Sequence, residues 1–164
     1  MDSSVGRRPA PTVLDALQHS WLAQTIAQSQ MLTATLSAAH LLGFTLVMGS
    51  AVVSNLRLIG VLFADQPAVH ITHPARRALL LGACFSATTG FLLFMPRASS
   101  AVVNDFFRAK ITLLAVALLL LTTVQDRVAR RASAERGAAR LVGAIGLALW
   151  IGVALAASAF ILLE

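Results

Sequence analysis

Four long apolar stretches, 31–54, 78–95, 111–124 and 141–163, dominate the chain. Positions 31–54 hold one ionisable residue, His40, in 24, and positions 141–163 hold none in 23. A run of about 20 apolar residues crosses a hydrocarbon core of roughly 30 Å as a helix. The pattern therefore predicts an all-α integral membrane protein, a four-transmembrane-helix bundle over 31–164. The third stretch is short for a crossing at 14 residues. Adding Phe106 and Phe107 extends it to 106–124 and brings Arg108 and Lys110 to the membrane boundary, where long side chains snorkel.

Ahead of the bundle, 1–11 is polar and reads as a disordered N-terminus. Over 12–30, Leu14, Leu17, Trp21 and Ile26 fall near one helical face, with Asp15, His19, Gln24 and Gln28 polar. That spacing predicts an amphipathic helix lying in the interface with Trp21 as its anchor; the alternative is an extension of the first span rising out of the membrane. The first apolar run is too long for a signal-peptide core and stays as a span. Gly82, Ser86 and Gly90 recur every four residues in the second span, as do Ala148, Gly152 and Ala156 in the fourth. Small residues at this spacing let helices pack closely in lipid.

Composition changes the picture only through charge. Of 164 residues 57% are hydrophobic and 12% charged, and the net charge is +6. Arginines at the ends of apolar runs act as topology determinants that meet anionic headgroups, which sets nucleic acid aside as a partner. The connections after spans one and three carry eight cations, Arg57, Arg76, Arg77, Arg127, Arg130, Arg131, Arg136 and Arg140. The other side carries five, Arg7, Arg8, Arg97, Arg108 and Lys110. In a bacterial inner membrane the Arg-rich connections are then cytoplasmic and both termini periplasmic. The one cysteine, Cys84, can form no internal disulfide.

His40 is the first candidate for chemistry, because an ionisable side chain inside a span is a functional signal. It lies about nine residues from the outer end, roughly 13 Å deep at 1.5 Å per residue. Lys110, the only lysine, enters span three from the same side. Thr88, Thr89 and Ser158 share the outer half, so a polar pocket of His40, Thr88 or Thr89, Lys110 and Ser158 is predicted as a cofactor site. The bland reading of these hydroxyls is a bond to their own backbone. A haem between helices takes a histidine ligand; with one histidine in lipid, that means a five-coordinate haem b or a homodimer pairing two copies of His40. His70 and His73 form H-I-T-H and could share copper or another metal with a helical backbone, yet Pro74 disfavours helix at His73, and a solvated loop is the expectation. Arg57 is expected to pair with headgroups, Asp65 or Asp126, and Trp150 to pack inside the bundle. No nucleotide, hydrolase or zinc-protease motif occurs, and no acid lies inside a span, which argues against a carboxylate-driven pump.

His40-Leu41-Leu42-Gly43, Gly49, Asn55-Leu56-Arg57-Leu58-Ile59-Gly60 and Thr89-Gly90-Phe91-Leu92-Leu93-Phe94, with Phe107 and Lys110, resemble the motifs of a family of uncharacterised small four-span bacterial inner-membrane proteins, a domain of unknown function. The resemblance begins near Trp21 and implies a fold without an activity. Relatives commonly carry an acid where this chain has Asn55. A more generic likeness to the copper-resistance D membrane proteins implies copper or haem handling. Two readings follow. In the first, His40 ligates haem or copper and Lys110 offers a charge to a propionate or other anion. In the second, the chain is a non-catalytic accessory subunit of a larger membrane complex, or a small-solute permeation protein.

Overall fold

The computed structural model describes residues 13–132 and 134–162. The 1–11 segment, position 12 and the end of the fourth span beyond 162 lie outside the described residues. Each apolar stretch forms one long helix, and at the Arg-rich end the helices outrun their stretches. Helices α1 (Val13–Gln18) and α2 (Trp21–Gln28) precede α3 (Gln30–Ile59). Helix α4 (Ala68–Phe94) continues through a 3-10 turn (Met95–Arg97) into α5 (Ala98–Val103). Helix α6 (Asp105–Leu120) passes through a π-helical turn (Leu121–Gln125) into α7 (Asp126–Arg131), and α8 (Arg136–Leu162) follows. Four continuous segments are long and apolar enough to cross a membrane, as the hydropathy pattern requires.

The region read as one amphipathic helix is two. Ser20 caps α2, its hydroxyl accepting from the Ala23 N–H at 3.3 Å, and Ser29 caps α3 by accepting from Leu32 at 3.2 Å. Each serine satisfies an orphan donor of the helix it opens. Ala23 and Ile26 are buried while Trp21 is 80% exposed, so Trp21 sits off the packed face. Gln18 Oε1 accepts from the Ser99 hydroxyl at 2.6 Å and fastens α1 to α5. An interfacial position for exposed Trp21 is open to a direct test. With Trp150→Phe making it the sole tryptophan, its fluorescence is expected to be quenched most by lipids brominated near the headgroup; stronger quenching by deep bromines would contradict the interfacial placement.

Where lipid removes the hydrophobic drive between helices, close packing replaces it. A Cβ on Gly82 would stand 2.9 Å from the Gly43 carbonyl oxygen, so α3 and α4 touch backbone to side-chain face. Val47, Ala51, Leu79, Ala117, Leu121, Trp150 and Val153 form the core across all four spans. Trp150, 1% exposed, packs inside as its mid-span position predicts. The seam of α8 departs from the expected one. Gly143, Gly146, Trp150 and Val153 face inward, Ala148 is exposed, and Gly152 makes only ordinary contact with Leu113 at 3.5 Å. Both sets recur at helical spacing, and the one carrying Trp150 wins because it buries the largest side chain.

The H-I-T-H stretch is also helical, lying in the first turns of α4 with Pro74 inside the helix. Proline there removes a single N–H. Ala68, clustered with Leu58, Ala129 and Ala139, and buried Thr72 hold the helix together on its inner face. At the end of α3, Gly60 adopts φ 91°, the left-handed conformation that closes helices and that side chains resist. The Arg57 guanidinium then donates to the Gln66 carbonyl, closing the loop to α4. Arg57 thus serves the loop, and Asp126 pairs with other arginines.

Candidate functional site

Polar side chains gather at two levels of the bundle. The first level is centred on His40 of α3, which meets α4 one turn from its close contact with Gly82. His40 Nδ1 lies 2.9 Å from the Ser86 carbonyl oxygen, 3.1 Å from the Ser86 hydroxyl and 3.4 Å from the Thr89 hydroxyl. A carbonyl oxygen can only accept, so Nδ1 carries the proton and donates it. In the neutral ring this leaves Nε2 with its lone pair. Gly90 makes room for the ring: a Cβ there would stand 2.9 Å from Cε1 and 3.1 Å from Nδ1. Phe94 stacks on Phe107 with centroids 5.5 Å apart, bringing the start of α6 beside this end of α4. Half-buried Lys110, one turn beyond Phe107, lies within electrostatic range of His40.

The other residues expected in this pocket divide. Thr89 is buried and joins His40, its hydroxyl donating to the Phe85 carbonyl at 2.9 Å. Thr88 points outward and donates to its own Cys84 carbonyl, and exposed Ser158 donates to Ala154 at 3.0 Å. Both follow the ordinary backbone-bonded behaviour of hydroxyls in helices. His73 and His70 lie 13 and 16 residues from Ser86 along α4, about 20 and 24 Å away at 1.5 Å per residue. They are exposed at the Arg-rich end and share no ion with His40 of the same chain. Among the described residues no three His, Cys, Asp or Glu side chains stand close enough to form a metal site.

The second level lies at the Arg-rich end. Asn55, wholly buried, donates from Nδ2 to the Ala51 carbonyl at 2.8 Å and accepts at Oδ1 from Gln125 Nε2 at 2.6 Å. Gln125 ends the π-helical turn, a widened turn that is frequent at functional sites. Helix α8 presents two glycines to this pair. A Cβ on Gly143 would stand 2.8 Å from the Asn55 carbonyl oxygen, and one on Gly146 would overlap Asn55 Oδ1 and come within 2.7 Å of Gln125 Nε2. Ser54, Thr72, Arg76 and Asp126 adjoin the pair, with Asp126 taking an ion pair from Arg76 at 3.7 Å and a second from Arg130. Hydropathy hides this level. Asn55 and Gln125 fall one residue beyond stretches that end at 54 and 124, so they read as surface residues. Only the continuation of α3 to Ile59 and of the third span to Arg131 puts them inside.

Between the two levels lie Val47, Ala51, Leu79 and Trp150, all buried. The geometry defines a class: a four-span helical membrane protein with a tethered histidine toward one end of its interior and an amide-centred polar layer toward the other. A model of a family of unknown function, DUF6644, matches residues 18–162. The chain belongs to that family. No curated protein and no solved structure matches it.

Proposed function

We propose that this protein is a cofactor-holding module of the bacterial inner membrane, in which His40 Nε2 would hold haem b. One observation carries the reading: the bond from Nδ1 to the Ser86 carbonyl fixes the tautomer that presents Nε2. Metal-ligating histidines are commonly oriented by such a second-side bond, which also raises the basicity of the ligating nitrogen. The donor set favours haem over copper. A haem can be held by one histidine, whereas a copper ion needs further ligands, and those would have to come from a second copy of this chain. Lys110 supplies a positive charge for a propionate. Haem b, when bound, would bring one-electron chemistry; the chain orients the part-buried imidazole through its bond to Ser86. The positive-inside count supports a cytoplasmic Arg-rich end, with His40 in the periplasmic half.

The permeation form of the accessory reading has less support, because the buried Val47–Leu79 layer separates the two polar levels. The protein purified in mild detergent from cells supplied with haem precursor is expected to show a Soret band that shifts on dithionite reduction. His40→Ala is expected to remove most of that absorbance while helicity stays unchanged. A colourless wild-type protein, metal-free by elemental analysis, would reject the cofactor reading and leave an accessory subunit to be sought by its co-purifying partner.

A further inference from the structure

A cavity of about 10 Å³ lies between α3, α4 and the π-helical turn, lined by Ser54, Thr72, Arg76, Leu121, Gln125 and Asp126. Ser54 is 2% exposed and Thr72 7%, and neither hydroxyl has a protein partner. Other hydroxyls in these helices behave differently. Thr35, Thr45, Thr112 and Ser158 each donate to the carbonyl four residues back. Ser54 and Thr72 also sit inside helices, yet both forgo that bond. A buried hydroxyl left unpaired is costly, so two lining one cavity point to a shared guest. Arg76 Nε is a third buried donor without a protein partner.

Size and charge identify the guest. The volume is near the minimum that holds one water and is far too small for a phosphate or carboxylate headgroup. Asp126 is already bridged by Arg76 and Arg130. Two cations on one carboxylate leave the surroundings net positive, which disfavours a metal cation. A halide would be attracted by the arginines but repelled by Asp126, and it could donate nothing to that carboxylate. A water accepts from the hydroxyls and donates to the acid, using the chemistry of the wall on both sides.

We propose that a single tightly held water occupies this cavity and joins α3, α4 and the start of α7 through Ser54, Thr72 and Asp126. It extends the Asn55–Gln125 pair into a polar layer that crosses three spans at the Arg-rich end. The site is independent of any cofactor at His40.

The test is a structure of the full-length protein at a resolution that shows ordered water, from crystals grown once with chloride and once with bromide. The expected map has one peak within hydrogen-bond distance of Ser54 Oγ and Thr72 Oγ1, with no bromide anomalous signal, and Ser54→Ala/Thr72→Val loses it. A wild-type map without the peak overturns the proposal, as does a bromide signal at it, which would make the guest an anion. The wild-type maps decide alone should the double variant fail to fold.

Discussion

Gly146→Ala is expected to destabilise the bundle by about 2–4 kcal/mol, because its methyl would make the closest approach of any at the described glycines. The new Cβ would overlap Asn55 Oδ1 and press on Gln125 Nε2, so it cannot be accommodated while the Asn55–Gln125 hydrogen bond survives. Overpacking a close-fitted site costs about 1–3 kcal/mol. Forcing the amides apart adds the penalty for buried polar groups without partners, about 1–3 kcal/mol. The better helix propensity of alanine returns at most about 1 kcal/mol. Unfolding in mixed detergent micelles measures the net. The cause is separable, because Asn55→Ala removes the atom the methyl meets. The double variant Asn55→Ala/Gly146→Ala should therefore cost clearly less than the two single changes added together. Additive costs, or a Gly146→Ala penalty below about 0.5 kcal/mol, would mean that α8 does not seat on this amide pair.

The same pair shows where sequence reading succeeds and where it stops. Long uncharged runs leave little choice but membrane-spanning helices, and the four spans follow from that. A bulky residue far from both ends, such as Trp150, is legible as core for the same reason. Rotation about a helix axis is not legible in this way. Ala148-Gly152-Ala156 and Gly143-Gly146 are both small-residue series, and only the partner surfaces decide which turns inward. Helix ends are also poorly marked, because a buried amide and a solvated amide look alike in sequence. Asn55 is therefore legible only as part of a motif at the end of its span, and Gln125, Ser54 and Thr72 carry no sequence mark of burial, although the four form the denser of the two polar levels. Gln125 carries one faint signal in its favour, an amide directly following an apolar run and directly preceding an acid that Arg127 and Arg130 follow.

The histidine is more legible in the sequence than its neighbours. A lone imidazole within 24 apolar positions stands out by composition, but its partners depend on register. Thr88 and Thr89 are adjacent in sequence and point to different sides of α4, so one meets His40 and the other faces outward. Ser158 shares the depth without sharing the face. Depth can be counted along a sequence, whereas facing needs the neighbouring helix.

That dependence on the neighbour gives the second large effect, carried by Gly90. Gly90→Ala places a methyl 2.9 Å from Cε1 of His40, inside ordinary contact distance. The imidazole has to swing away, breaking the Nδ1 bond to the Ser86 carbonyl, and the cost is about 1–3 kcal/mol. In a His40→Ala background the obstacle is gone. Gly90→Ala should then stabilise by about 0.5–1 kcal/mol through helix propensity alone. The sign of one substitution thus reverses with the identity of residue 40. Gly82→Ala is the control: its methyl would stand 2.9 Å from the Gly43 backbone oxygen, which no change at His40 can move aside. It should remain destabilising in both backgrounds. A Gly90→Ala effect of the same sign with and without the imidazole would show that the ring does not pack on Gly90. The tether to Ser86, on which the proposed ligand orientation of Nε2 rests, would then lose its geometric basis.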